Sequence, residues 1–379
     1  MTQLLLPNAS GELEPYLLGS HPAVVPEPGP WASRDVFAAA HVVADPQTPE
    51  TVDWEATLAY RRHLWSMGFG VAEAMDTAQR GAGLREDEIW PLIHRTAAEA
   101  SASGGRVVFG ITTDDLGEGA HEVTDVIASY EHQLELLEAV GGTPVLMPSR
   151  ALVGAARSEE DYVATYERLI NGSRGPMMLH WLGEMFDPAL GGYWGHLDPW
   201  KAADVLLEII EIDPEKIFGI KVSVLDLDLE IDFRRRLPPG VRCYTGDDFD
   251  FPTLIAGDGG YHSDALLGIL DVIAPVASRA LHRLDQGDRK GFLDLMAPTV
   301  PLSRLLFSEP TWGYKTGLVF LAYLTGHQEH FRMLAGMEGA RSVVHLSELL
   351  RLADQAGLIT DPETAGERMT SLLNEAGIR

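Results

Sequence analysis

Short apolar runs separated by longer amphipathic stretches recur about eight times between residues 36 and 267, and this alternation limits the fold more than any other feature. The runs cover 36–43, 70–75, 107–112, 144–147, 177–182, 217–224 and 241–245, with a weaker one at 260–267. Between them the spacing predicts helices over 54–67, stopped by Gly68, and over 85–102, 121–140, 158–172 and 198–212. Apolar strands alternating with helices indicate a parallel sheet covered on both faces. A count near eight favours a closed (β/α)8 TIM barrel over an open doubly wound sheet. The stretch AAHVVADPQTPE also lacks the Gly-x-Gly-x-x-Gly turn of the open alternative.

Beyond residue 276 only helical patterns follow, over 276–286, 289–295, 300–307, 316–324, 343–356 and 363–375. The expected organisation is an N-terminal arm (1–30), the barrel (31–276) and a C-terminal helical extension (277–379). The arm holds six prolines and reads either as a surface-hugging segment or as a partly disordered leader.

Charge narrows the partners. The 379 residues carry 29 Lys and Arg against 56 Asp and Glu, a net charge of −27, which repels nucleic acid and anionic membrane surfaces. The densest cationic run, Arg234-Arg235-Arg236, is preceded by Asp226, Asp228, Glu230 and Asp232. One cysteine, Cys243, can form neither an internal disulfide nor a thiolate cluster, in keeping with a reducing compartment. No cation precedes Arg34, Pro7 and Asn8 interrupt the first apolar run, and no run reaches the roughly 18 apolar residues of a spanning helix. A cytoplasmic protein acting on a small molecule, without nucleic acid or membrane, is expected.

Of five lysines, Lys201, Lys216, Lys290 and Lys315 sit in polar or helical contexts where a solvated ammonium is expected. Lys221 lies inside Ile217-Phe218-Gly219-Ile220-Lys221-Val222-Ser223-Val224-Leu225, the most apolar run of the chain. Burial there favours the neutral amine, a nucleophile that condenses with carbonyl carbons. The plainer alternative is an amine that snorkels to water or pairs with Asp226 or Asp247.

The run Ile217-Phe218-Gly219-Ile220-Lys221, followed by Tyr244-Thr245-Gly246-Asp247-Asp248, resembles strands six and seven of the dihydrodipicolinate synthase / N-acetylneuraminate lyase superfamily. Gly175-Pro176-Met177-Met178-Leu179 is similar to its fifth strand, and Ala274-Pro275 to the segment after its eighth. Asp285-Gln286-Gly287-Asp288, Leu306-Phe307, Tyr314-Lys315 and Gly326 resemble its C-terminal helices. The similarity runs from about residue 34 to about residue 358. It implies a Schiff-base lysine at Lys221, no cofactor, and a homo-oligomer, dimer or tetramer.

Departures from the superfamily carry functional weight. Its Gly-Thr-Thr-Gly-Glu motif, which seats a keto-acid carboxylate, is replaced by Ala74-Met75-Asp76-Thr77-Ala78-Gln79-Arg80-Gly81. Thr77 keeps one hydroxyl, while Asp76 places a negative charge where an anion would bind, unless Arg80 or another cation compensates. The superfamily's tyrosine on strand five corresponds to His180, a general acid–base of lower pKa. Its second tyrosine is absent from Met147-Pro148-Ser149-Arg150, so its three-hydroxyl proton relay cannot be rebuilt.

The expected site is therefore catalytic Lys221 and His180, with Asp76, Thr77, Gln79, Thr112, Gly246, Asp247, Asp248 and His262 around the substrate. Each has a plain reading as well: Thr112-Thr113-Asp114-Asp115 as a helix-capping loop, Asp247 and Asp248 as carboxylates bonding their own loop, Tyr261-His262-Ser263-Asp264 as a surface turn. Trp181, Tyr193, Trp194, His196 and Trp200 enrich the segment after the fifth run, either stacking on sugar rings or filling a lid. No metal is expected, since no His-x-His or His-Glu-x-x-His pattern accompanies His180 and Glu184. The leading expectation is a class I, Schiff-base-forming lyase, aldolase or dehydratase acting on a small keto acid, hydroxy acid or sugar-derived carbonyl compound. The alternatives are a metal-assisted aldolase or hydrolase on the same barrel, and a non-catalytic ligand-binding barrel.

Overall fold

A computed structural model describes residues 1–117 and 119–378. The chain begins with an antiparallel hairpin, β1 (Thr2–Pro7) and β2 (Leu13–Leu18). The Asn8 side-chain oxygen accepts from the amides of Ser10 and Glu12, both at 3.0 Å, and so fixes the turn. Leu4, Leu6 and Leu18 are buried by this hairpin, which makes the first 18 residues an ordered element.

Eight parallel strands then close into a barrel: β3 (Val36–Ala39), β4 (Gly70–Glu73), β5 (Val107–Ile111), β6 (Pro144–Leu146), β7 (Met177–Leu182), β8 (Ile217–Ser223), β9 (Arg242–Thr245) and β10 (Asp264–Leu267). Closure comes from β10 pairing with both β9 and β3. Helices α1 (Trp54–Ser66), α2 (Glu86–Ser103), α3 (Val123–Ala139), α4 (Arg150–Ala155), α5 (Glu159–Gly172), α6 (Pro199–Ile212), α7 (Leu227–Arg236), α8 (Phe251–Ala256) and α9 (Leu270–Asp285) surround it. The (β/α)8 reading of the sequence is correct. After the barrel come α10 (Arg289–Met296), α11 (Thr299–Leu306), α12 (Tyr314–Leu324), α13 (Val343–Gln355) and α14 (Pro362–Glu375). The hairpin packs on α13 and α14. No helix among the described residues is long and apolar enough to cross a membrane.

Three short helices went unpredicted, α4, α7 and α8. The α7 sequence, LDLEIDFRRR, is dense in charge and shows little apolar stripe, yet Asp226 caps it by accepting from the Leu229 amide at 3.0 Å. Helix α9 begins at Leu270, ahead of the predicted start, because Pro275 lies inside it rather than before it.

Alternation along the strands sorts the core. Phe37, Ala72, Val108, Val145, Met178 and Leu266 fill the barrel interior, while their neighbours face the helices. Gly70 and Gly219 make room for rings: a Cβ at either would come within 2.4 Å of Phe37 or Tyr244. Outside the barrel wall, Arg61 forks onto Glu73 at 2.8 and 2.9 Å with both side chains fully buried, and the Thr96 hydroxyl donates to the same carboxylate. A charge pair this deep fixes how α1 and α2 sit on β4, since either member left alone would be an unsolvated ion.

Candidate active site

Side chains at the C-terminal ends of barrel strands converge on one space. On β8, Ile220 and Val222 pack outward, so Lys221 and Ser223 point to the axis. They open into a cavity of about 790 Å³ bounded by the loops that follow the strands and by residues 307–315. Lys221 is only 9% exposed. Burial pulls its pKa below the usual lysine value, against the opposing pull of Asp76 and Asp248. Asp248 borders the same space, accepts from the Ile269 amide at 3.1 Å, and is pushed up to about 7 by its burial. An amine inclined to neutrality thus shares the cavity with a carboxyl that burial inclines toward its protonated form.

Gly246 carries the loop after β9 past these groups. A Cβ there would lie 2.0 Å from Ser223 Oγ and 2.9 Å from Lys221 Cε, so only glycine fits. Asp76 and Thr77 occupy a short 3₁₀ turn after β4 and border the cavity, as does Thr112, whose hydroxyl donates to the Pro148 carbonyl at 3.2 Å.

His180 is paired in register with Lys221 across β7 and β8 and is fully buried, beneath the cavity rather than on its wall. Its Nε2 lies 3.2 Å from Ser223 Oγ, and its Nδ1 has no partner among the described residues. Burial, with the charge of Lys221, holds the imidazole well below its ordinary pKa. The ring is thus held toward its neutral form, and it contacts the cavity lining through Ser223.

Three expected positions fall elsewhere. Gln79 turns away and donates to the carbonyls of Ala82 and Leu334 at 3.1 and 3.2 Å. Asp247 bonds its own loop, accepting from the amides of Phe249 and Asp250 at 2.8 and 2.9 Å. His262 precedes β10, whose first residue is Asp264, and so lies on the opposite rim, where burial and then Arg34, Arg234 and Arg242 lower it to about 4. None of Trp181, Tyr193, Trp194, His196 and Trp200 borders the cavity. Trp181 faces outward against Phe233, and Tyr193 and Trp194 pack on Tyr162 and Tyr166. Phe186, Leu190, Phe307 and Trp312 border the opening instead. Among the described residues no three metal-ligating side chains converge, and Glu184 is exposed while His180 lies inside the barrel.

Two groups escaped the sequence reading. Tyr314, the first residue of α12, stacks on Phe307 and brings its phenol within 3.0 Å of the Thr77 hydroxyl. A tyrosine from the helical extension therefore reaches the mouth, where the superfamily's strand-borne phenols are missing. Lys315 follows it, borders the cavity and is 5% exposed, contrary to the expected solvated ammonium. Its burial lowers its pKa, with Asp76 opposing. The available signal was the apolar run Thr316–Leu324 beside it, TGLVFLAYL, which marks a helix with little surface. Arg80, the expected compensating cation, is spent. It forks onto Asp114 at 2.7 and 2.9 Å and donates to the carbonyls of Ala74 and Gly110.

A match to the family described as "Protein of unknown function (DUF993)" spans residues 4–378. The chain belongs to the DUF993 family. No curated protein matches this DUF993 chain in sequence. Its fold is that of the dihydrodipicolinate synthases, in agreement with the resemblance read from its motifs. A dihydrodipicolinate synthase of Bacillus anthracis superposes with a TM-score of 0.61 at 15% identity, covering 85% of this chain and 99% of the other. The chloride-inhibited enzyme of Acinetobacter baumannii, solved with pyruvate, gives 0.62 at 15% identity over 86% and 100%. A monomeric dihydrodipicolinate synthase variant gives 0.65 at 16% identity over 87% and 99%. The DUF993 chain is a divergent branch of this architecture.

Proposed function

We propose that this protein is a class I lyase or aldolase that forms a Schiff base between Lys221 and a small carbonyl substrate. The observation that carries the reading is an amine dried by the barrel wall at the mouth of a cavity of about 790 Å³ that the buried Asp248 carboxyl also borders. The likeness in fold to dihydrodipicolinate synthases supports it.

Neutral Lys221 attacks the carbonyl carbon, and the carbonyl oxygen takes a proton to give a carbinolamine. A second proton, delivered from the side of Asp248, releases that oxygen as water and leaves an iminium. The iminium draws electrons from the bond between its α and β carbons, the β carbon bearing a hydroxyl. When a base removes the proton of that hydroxyl, the bond breaks, a carbonyl fragment departs and an enamine remains. Protonation of the enamine carbon and addition of water return Lys221 as the free amine. The hydroxyl pair of Thr77 and Tyr314, 3.0 Å apart on the cavity wall, relays the proton to and from the reacting carbons in this reading. His180 acts through Ser223, its Nε2 sharing a hydrogen bond with that hydroxyl.

Borohydride reduction in the presence of carbonyl compounds tests the reading. A reduced adduct on the Lys221 peptide, absent from Lys221→Ala, is expected. Adducts that map to other lysines, or none across keto acids, hydroxyketones and aldoses, would refute it.

A further inference from the structure

We propose that Lys315 is the anion-holding residue of this cavity, so that the carbonyl compound captured by Lys221 carries a carboxylate that Lys315 receives. The inference deepens the Schiff-base reading by naming a substrate class, and it rests on that reading for the role of Lys221 alone.

Lys315 lies almost wholly out of bulk water, yet it borders the cavity. Its ammonium rests on the face of the Tyr314 ring, 4.6 Å from the centroid. Among the described residues no carboxylate or carbonyl comes within bonding distance of it; Asp76 acts on it only through space. Burial weakens the charged form of this amine, and an arriving anion restores it by supplying the partner that Lys315 lacks.

The competing arginines of the cavity are placed differently. Arg80 is held by Asp114 and two carbonyls, and Arg150, which bonds Asp187 through Nε at 2.6 Å, is 73% exposed and so fully hydrated. Lys221 is reserved for the carbonyl carbon. The surroundings of Lys315 favour an anion further, since it is the second residue of the 11-residue helix α12, whose N-terminal end adds positive potential. Asp76 sets the limit on charge. Its carboxylate faces the same space and influences both lysines, so a monoanionic carboxylate is tolerated better than a dianionic phosphate. The motif that lacks the superfamily's carboxylate seat is thereby answered by a cation from the other end of the chain.

Sodium lactate, which cannot form an imine, and lactamide, its neutral counterpart, separate the anion site from the Schiff base. Calorimetric titration of the full-length wild type should show lactate binding at least tenfold more tightly than lactamide. Lys315→Gln should abolish that preference, and Lys315→Arg should retain part of it. Circular dichroism and urea denaturation report that Lys315→Gln is folded, and borohydride trapping of hydroxyacetone on Lys221 reads the Schiff base separately from the anion site. Inorganic phosphate is the parallel arm, expected to compete with lactate weakly. Equal binding of lactate and lactamide by the wild type, no lactate binding, tighter binding of phosphate than of lactate, or a lactate preference that survives Lys315→Gln would each overturn the proposal. Loss of the lactate preference together with no trapping on Lys221 by any carbonyl would leave the anion site standing and remove the Schiff base.

Discussion

Replacing Gly246 with alanine perturbs the amine without touching its chemistry. The added methyl would meet Ser223 Oγ at 2.0 Å, and Lys221 Cε and the Val222 carbonyl both at 2.9 Å. Relaxed contacts lie near 3.5–4.0 Å. The serine can rotate away, at the loss of its 3.2 Å contact with His180. The Val222 carbonyl cannot, because it accepts from the Gly246 amide at 2.6 Å. The strain must therefore pass to Lys221, whose terminal carbons move by about 0.5 Å or more to recover contact distance. Overpacking of this kind costs about 1–3 kcal/mol of stability. A misplacement near 1 Å at a reacting atom lowers rates by about a hundredfold. Urea denaturation reads the first quantity, and the rate of borohydride capture on the Lys221 peptide reads the second. Ser223→Ala combined with Gly246→Ala should recover little of the capture rate, since the contacts to Lys221 and Val222 remain. A Gly246→Ala protein that captures carbonyls at the wild-type rate would show that the loop after β9 does not press on the amine, and the geometry argued for the site would fail.

Two further outcomes are expected. Tyr314→Phe should leave capture on Lys221 intact while slowing deuterium exchange at the carbon beside the captured carbonyl by about a hundredfold, the usual scale of one acid–base group; parallel loss of both would assign the phenol a purely packing role. Glu230 is buried among Ser263, Thr245 and Cys243, and burial pushes its carboxyl up to about 8, whereas an unfolded chain releases that proton near about 4.3. Between those values the native state binds the extra proton, so stability falls as pH rises through the window. Glu230→Gln should flatten the decline in urea midpoint between pH 5 and pH 8, and an unchanged slope would contradict the assignment.

The barrel was legible because its strands are apolar on both faces and its helices are not, a contrast that survives in any short window. Lys221 was legible for the same reason, as a charge in a run that otherwise has none. Lys315 was not. Its burial arises when α12 packs over the barrel mouth, and the Thr77–Tyr314 contact that records this packing joins residues 237 positions apart. Asp247 and Asp248 are adjacent acids in one turn, and local composition does not say which faces the cavity; the Ile269 amide and the loop amides divide them. His262 was misplaced because the eighth strand was drawn from Gly260, which put that side chain within a strand. Pairing begins at Asp264, and the histidine falls on the far rim.

The hairpin at residues 2–18 clasps α13 and α14, and those helices in turn pack around α12. The two ends of the chain therefore hold shut the wall that supplies the phenol and the second amine. Residues beyond α9 give the cavity Phe307, Thr311, Trp312, Tyr314 and Lys315, while the barrel and its loops give the rest of the lining. The phenol of Tyr314 and the amine of Lys315 therefore belong to the cavity only when α12 is docked over the barrel mouth.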